Sequence, residues 1–390
     1  MSQINVDAIR HTSASSDAIT LASNGKCAVT GSTITADTGK FTNLPNRNLI
    51  MNGAMQVAQR SNLTTAASGY GAVDRWYFYN EGDGRATITQ ATDVPPTKEF
   101  NYSYKLDVTT ADTAGASSRG WVGTWLEARD SGVTLKGTSG AKKVTVQFWV
   151  KSPKTGTHIV ALDDNDATDH STSRHINTTY TVSTANTWEK KTVTFAGDTT
   201  GVFNTTTGRG LWLGFRLVQG SNSTSGSLAT SWADYAVANE GAGQVNVLDN
   251  TSNDFYLTGV QVELGDSATD FEHLPYGDEL DRCQRYFQTW RPQGQTPPVL
   301  ATLMCSSSSG FLGPLLFRKP MRAAPTLTND NIIAITSGNG SAGEGTLAID
   351  NATPTCARIV GSSFSGLSAG NCTWLQCNDQ DAYLDLSADL

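Results

Sequence analysis

The chain has 390 residues, two to three times the common domain size and enough for two or three compact units with a sizeable core. Only 16% of them are charged, while Gly reaches 37 and Thr about 50, so the chain is polar without being ionic. A net charge of −8, a pI near 5.1 and no basic stripe exclude a protein that tracks nucleic-acid phosphates through Lys and Arg. Thr, Val, Tyr, Trp and Phe suit a pleated, half-buried surface, and helical runs of Glu, Lys and Ala are nearly missing, which predicts an all-β fold. No apolar run reaches 18 residues, and the first twenty residues lack the basic start and apolar centre of a signal peptide; no membrane insertion is expected.

In chain order, residues 1–45 hold only short apolar pairs among Ser, Thr, Gly and Asp and cannot enclose a core of their own. Ile19 to Ala36 keeps strand-like alternation around the turn dipeptide Asn24-Gly25, as an extended arm of short hairpins that pairs with other chains would. From Asn46 the pattern becomes short β-runs between polar turns, the pattern of a jelly-roll β-sandwich body over 46–290. Val144 to Lys151 places Val144, Val146, Phe148 and Val150 on one face and Thr145, Gln147, Trp149 and Lys151 on the other. Leu211 to Val218 repeats this, with Leu211, Leu213, Phe215 and Leu217 opposite Trp212 and Arg216. Further strands are predicted at Ser103 to Val108, Trp121 to Glu127, His158 to Leu162, Glu189 to Phe195 and Phe255 to Leu264. One helix is predicted from Tyr276 to about Phe287, capped by Asp278, and the Pro-rich junction after Arg291 opens a C-terminal β-sandwich over 291–390.

The six cysteines, Cys27, Cys283, Cys305, Cys356, Cys372 and Cys377, have no CxxC pairing and no His at zinc spacing, so reduced thiols are expected and no metal site is assigned. Spacing leaves open whether Cys372 and Cys377 approach across a hairpin. Asp163, Asp164, Asp166 and Asp169 cluster in an expected loop, but the Gly and bidentate Glu of a calcium-binding loop are missing, and His158, His170 and His175 are irregularly spaced. Asp74-Arg75 beside Trp76 reads as an ordering salt bridge or turn. No nucleophile-elbow, phosphate-loop or zinc-protease motif is present, and neither catalytic residues nor cofactors are assigned.

Several stretches are similar to bacteriophage tail-fibre proteins, above all those of marine podoviruses that infect cyanobacteria and other marine bacteria. The opening MSQINVDAIRH resembles the virion-attachment start of such fibres, and Asn46 to Ser61 with Gly69 to Phe78 resembles the entry to their jelly-roll body. Val146 to Leu162 and Thr187 to Gly201 match the pattern of its central strands. Phe255 to Gln288 is the most specific phrase, and Pro320 to Leu327 and the terminal Ala382 to Leu390 also resemble this class. The resemblance implies a homotrimeric fibre in the virion tail, joined to tail or adaptor proteins through the arm. Its distal units would recognise a host surface glycan or outer-membrane protein.

Physical chemistry agrees with that picture. Three-fold packing supplies the apolar surface that the arm lacks. A low-charge Thr, Ser, Asn and Gly surface hydrogen-bonds sugar hydroxyls at little desolvation cost, and aromatic faces stack on pyranose rings. The ligand candidates are therefore aromatic: Trp149 and Trp212, opposite the aliphatic faces of their strands, and Trp374 with Tyr383 in the terminal unit. Most of the nine Trp must be structural, and the outward face of Trp149 and Trp212 suits a subunit contact equally well. The expected function is host adsorption by multivalent binding, with a capsid appendage or other virion decoration as alternative and a glycan depolymerase as the enzymatic one.

Overall fold

A computed structural model describes residues 8–9, 19–21, 27–29, 46–164, 173–292, 298–336 and 340–390. The first 46 residues form one unit and Arg47–Leu390 a second. In the first unit, Ala8–Ile9, Ile19–Leu21 and Cys27–Val29 make a small antiparallel sheet, with Ile19 opposite Val29. Asn24-Gly25, the expected turn of that hairpin, lies outside the described residues.

The second unit is nearly all β, as its composition predicts. Two antiparallel sheets face each other in the body. Six strands run in the order Glu189–Phe195, Val144–Lys151, Asp254–Leu264, Ser103–Thr110, Arg85–Ala91, Leu63–Ala66. The other seven run Ala233–Asp234, Arg174–Val182, Gly156–Asp164, Arg209–Gln219, Arg119–Glu127, Tyr77–Asn80, Ser68–Tyr70. The chain repeatedly crosses between the sheets, a jelly-roll arrangement whose inward side chains meet in one core. Val146, Phe148 and Val150 from one sheet and Leu213, Phe215 and Leu217 from the other are completely or almost completely buried there, each adding roughly 1.5–3 kcal/mol. The predicted alternation is thus the packing rule of the sandwich.

The segment after the body strands folds back over the outer side of the six-stranded sheet. Thr145 and Gln147 point away from the core yet are buried, because Thr145 donates to the Gly265 carbonyl (2.9 Å) and Gln147 to that of Thr269 (2.7 Å). The helix spans Tyr276–Gln284 and starts after Pro275, so Asp278 is not its cap but an acidic residue of the first turn, where it meets the positive end of the helix dipole. Glu279 ties this helix to the body by accepting from the Asn52 backbone N–H at 2.6 Å.

Phe287–Trp290 then pairs with Tyr383–Ser387, which also pairs with Thr326–Asp330, and this three-stranded sheet packs on a second seven-stranded one. The latter runs Ser341–Glu344, Ile332–Ile335, Cys372–Cys377, Val299–Cys305, Phe311–Leu316, Cys356–Ser362, Thr346–Asp350. Its core is small, built on Leu303, Phe311, Ile359, Leu375 and Leu384. Cys372 and Cys377 are the two ends of one strand, the first exposed and the second buried, so they do not meet across a hairpin. Cys283, Cys305 and Cys356 are free thiols as well. Among the described residues no helix is long and apolar enough to cross a membrane.

Candidate functional site

Side chains alternate along a strand, so Trp121, Gly123 and Trp125 share the outer face of Arg119–Glu127, and Trp212, Gly214 and Arg216 that of Arg209–Gln219. The register sets Trp212 opposite Trp125, Gly214 opposite Gly123 and Arg216 opposite Trp121. On the far side of Trp212 stands Asp163, and beyond it His175. Two facing glycines therefore interrupt a row of large side chains, and the Trp212 indole lies in the gap. A Cβ on Gly214 would stand 1.9 Å from Cη2 of that ring, and one on Gly123 2.6 Å from its Nε1. Glycine at both positions lets the ring lie along the sheet.

Other aromatic groups build walls on this floor. Trp121 meets Trp212 edge-to-face at 4.9 Å and Trp125 at 5.6 Å, and Tyr79 stacks on Trp121 at 5.2 Å. The Arg209 guanidinium sits 4.6 Å above Trp125 and that of Arg216 5.1 Å from Trp212. With Arg119, Asp163 and Tyr235 these residues line a recess of about 60 Å³, partly open to solvent. Trp212 is only 3% exposed despite facing out of its sheet, because Trp121, Trp125, Tyr286 and Leu390 cluster around it.

Charge is concentrated behind the aromatic walls. Glu240 accepts from the Tyr235 hydroxyl (2.6 Å) and lies 3.3 Å from Arg216 Nη1 and 3.4 Å from Arg119 Nε. Asp163 is 3.7 Å from Arg216 Nη2. Burial pushes the Asp163 carboxyl up to about 7, against the pull of Arg216 and helped by Glu240, and burial lowers His175 to about 4, so its ring is neutral at pH 7. Desolvation is the largest single influence on Arg119 and works against its charge, but Glu240, Tyr235, Glu81 and Tyr79 together raise its pKa.

Ten of the twenty buried side-chain polar atoms that lack a hydrogen-bond partner among the described residues belong to this neighbourhood. They come from Arg119, Asp163, His175, Asn177, Trp212, Arg216, Gln219 and Glu240. Ion pairs at 3.3–3.7 Å neutralise several of these groups without aligned hydrogen bonds. Each unsatisfied group costs about 1–3 kcal/mol, and folded proteins hold few of them, so their crowding behind one recess makes this the costliest polar cluster of the body.

The sequence-derived candidates lie apart. Trp212 forms the floor of the recess. Trp149 is half-buried on the outer face of the six-stranded sheet, across the sandwich. Trp374 is 47% exposed on the terminal seven-stranded sheet, and Tyr383 lies in the three-stranded one with the Arg291 guanidinium 4.7 Å from its ring. Among the described residues no ring contact joins any two of the four. Trp121, Trp125, Asp163 and Arg216 are the additional site residues; their signal was a glycine flanked by large residues on the outward face, Trp121-x-Gly123-x-Trp125 and Trp212-x-Gly214-x-Arg216.

The acidic cluster resolves differently from its expected loop. Asp163 and Asp164 belong to the strand Gly156–Asp164 and point to opposite faces, Asp163 toward Arg216 and Asp164 toward Lys136 at 2.9 Å, so they do not share an ion. Asp166, Asp169 and His170 lie outside the described residues. Asp74 and Arg75 are ordering residues but not with each other. Asp74 lies 3.4 Å from Arg60, while Arg75 donates to the Trp125 carbonyl at 2.7 Å and stacks 3.5 Å from Tyr286.

No protein-family model and no curated protein matches the chain. Among solved structures it is similar to the enzymatically active domain of tailspike protein 4 of bacteriophage CBA120, with 15% identity and a TM-score of 0.32, over 56% of this chain but 21% of that one. A putative sugar-binding protein from Bacteroides thetaiotaomicron aligns with 12% identity and a TM-score of 0.31, covering 56% of this chain and 99% of the other. The family 11 carbohydrate-binding module of a cellulosomal cellulase from Clostridium thermocellum aligns with 9% identity and a TM-score of 0.28, over 55% and 100%.

Proposed function

We propose that this chain is a saccharide-binding virion protein, a tail fibre that adsorbs to the host cell surface, and that the recess on its seven-stranded body sheet is a saccharide contact. The supporting observation is the coincidence, in the lining of one recess, of three Trp side chains with Arg119, Arg209, Asp163 and Tyr235. Pyranose rings need both: apolar faces stack on indoles while hydroxyls bond to polar side chains. In this reading residues 1–45 hold the fibre on the tail, 46–290 form the body, 291–390 the distal tip, and three copies assemble so that weak single contacts add up. Trp149, Trp374 and Tyr383 are then additional contacts, to sugar or to a neighbouring copy.

Purified chain is expected to bind host cells, and mild periodate oxidation of the cell-surface sugars to abolish that binding. Undiminished binding to oxidised cells would sink the saccharide reading. Labelling the protein in images of virions separates a tail fibre from a capsid appendage.

One observation favours a second, depolymerase reading: a carboxyl with a pKa of about 7 beside a recess in the sheet surface is what a general acid needs. Its companion Glu240, however, is engaged by Arg119, Arg216 and Tyr235 rather than free to act as base or nucleophile. Binding without release of new reducing ends is therefore expected when the protein is incubated with host glycan.

A further inference from the structure

We infer that the outward face of the terminal seven-stranded sheet is where one copy of this chain packs against a second; this rests on the reading that several copies assemble and adds the surface through which they do. Antiparallel sheets with one solvated face alternate apolar inward and polar outward residues. The outer face of the six-stranded body sheet keeps that rule with Lys105, Asp107, Lys151 and Lys190. The terminal sheet breaks it. Four adjacent strands, Ile332–Ile335, Cys372–Cys377, Val299–Cys305 and Phe311–Leu316, contain no charged residue, in a chain that is 16% charged. Outward along them stand Met304, Leu316 and Trp374, all exposed, with Leu312 and Pro314 on the same face.

The charges of this sheet stand at its margins. Glu344 lies on one edge strand, and Arg358 pairs with Asp350 across the two strands at the opposite edge. An apolar centre with Met and Trp, depleted of charge and bounded by polar groups, is the anatomy of a protein–protein interface. Its extent suffices. Seven strands about 4.8 Å apart and about 17 Å long present about 550 Å², so two copies bury about 1,100 Å² together, where specific stable interfaces begin. Charge then selects the occupant. Each copy carries −8, so copies repel one another except through a surface without charge of its own, and these four strands provide one. A basic partner finds no carboxylate to pair with on them, and a saccharide finds a single indole on a flat surface. The same neutral apolar patch on both partners is self-complementary, as a contact between identical copies requires. Copies joined here carry several body recesses in one assembly, so weak saccharide contacts act together.

Cys372 reports on this face directly, being exposed on it opposite Met304. The full chain is alkylated with iodoacetamide over a dilution series, the Cys372 peptide is followed by mass spectrometry, and assembly is measured by sedimentation. Alkylation is expected to slow about ten-fold or more as the chain assembles. Met304→Lys and Leu316→Lys should each restore the fast rate, because an unpaired charge buried in the contact opposes it, while both positions are exposed in the single chain and tolerate Lys there. Lys also lowers the net negative charge, so lost contact is not general repulsion. Thr346→Lys, on the edge strand, should leave rate and assembly as in wild type. Fast alkylation in the assembled wild type, or protection that neither variant relieves, overturns this face as the contact and leaves the reading of several copies standing. A monomer at every concentration overturns both. Fast alkylation that host glycan slows makes the face a saccharide contact and overturns the proposal as well.

Discussion

Two seven-stranded antiparallel sheets in this chain each turn a Trp-bearing face away from their core, and the two faces have become different surfaces. On the terminal sheet the outward residues include Met304, Leu316 and Trp374, respectively 54%, 73% and 47% exposed, together with the surface ion pair Arg358–Asp350. On the body sheet the outward residues Trp125, Trp212 and Arg216 are at most 5% exposed and wrapped around charge. The difference comes from two glycines and a second layer. Gly123 and Gly214 lower the sheet surface by two side chains, and Tyr286 and Leu390 close in from the part of the chain that follows the body. An exposed Trp on a flat face offers one ring, whereas a buried cluster around a hollow offers rings and preset polar groups together, which is what orients a ligand.

The largest test of this contrast is charge removal. Arg216→Met leaves Glu240 and Asp163 short of a buried countercharge and is expected to destabilise the second unit by about 3–5 kcal/mol, read as a lower midpoint in denaturant. Arg358→Ala on the terminal face removes an ion pair in full solvent and should leave the midpoint where it was. Equal midpoints for the two variants would show that the body network is no more buried in energetic effect than a surface pair.

Asp163→Asn sharpens the same point through pH. The folded pKa of about 7 lies above the ordinary value of 3.8, so between those limits the native protein holds a proton that the unfolded chain has released. Stability from this residue is therefore greatest below pH 4, falls as pH rises toward 7 and is level above. Asn does not titrate, so the variant's stability relative to wild type should climb between pH 4 and 7, by a few kcal/mol at most at ~1.4 kcal/mol per pH unit. His175, lowered to about 4, makes the opposite slope from pH 6.5 downward in both proteins, so the difference between them isolates Asp163. A flat difference would mean the carboxyl is solvated.

A smaller effect is expected from filling the hollow. In Gly214→Ala the new methyl collides with the Trp212 ring, which must tilt into the recess; a loss of about 1–3 kcal/mol should show in the melting temperature, with weakened glycan binding. Gly132→Ala meets nothing within 4 Å at a helical backbone angle and should change neither.

Much of this architecture was legible in the sequence. Strict alternation identifies Val144–Lys151 and Glu189–Phe195 to the residue, because a period of two with β-branched and aromatic residues has no helical competitor. The outward position of Trp212 and Arg216 was readable for the same reason. Which strands would be neighbours was not: the hollow exists because Gly123 meets Gly214, a register set by pairing residues about 90 positions apart. Burial of an outward face was equally hidden, since Tyr286 and Leu390 come from segments whose sequence gives no hint of where they return. Asp163 was misplaced by its acidic neighbours, which suggest a loop; the partner that holds it in a strand, Arg216, is itself distant in sequence.

The remaining prediction sets the two faces directly against each other. Trp121 is the half-buried member of the body cluster, with partners on several sides, so Trp121→Ala removes a stacking wall without emptying the sandwich core. Trp374→Ala removes a more accessible ring, 47% exposed, from a flat face. If a preset hollow rather than an accessible indole makes the site, affinity for host glycan falls about ten-fold in Trp121→Ala, roughly 1.4 kcal/mol, and stays within two-fold of wild type in Trp374→Ala. The reverse order would move the saccharide contact to the terminal sheet and leave the body recess a structural network. A similar loss in both would mean that the two faces act on one ligand, which is long enough to span them.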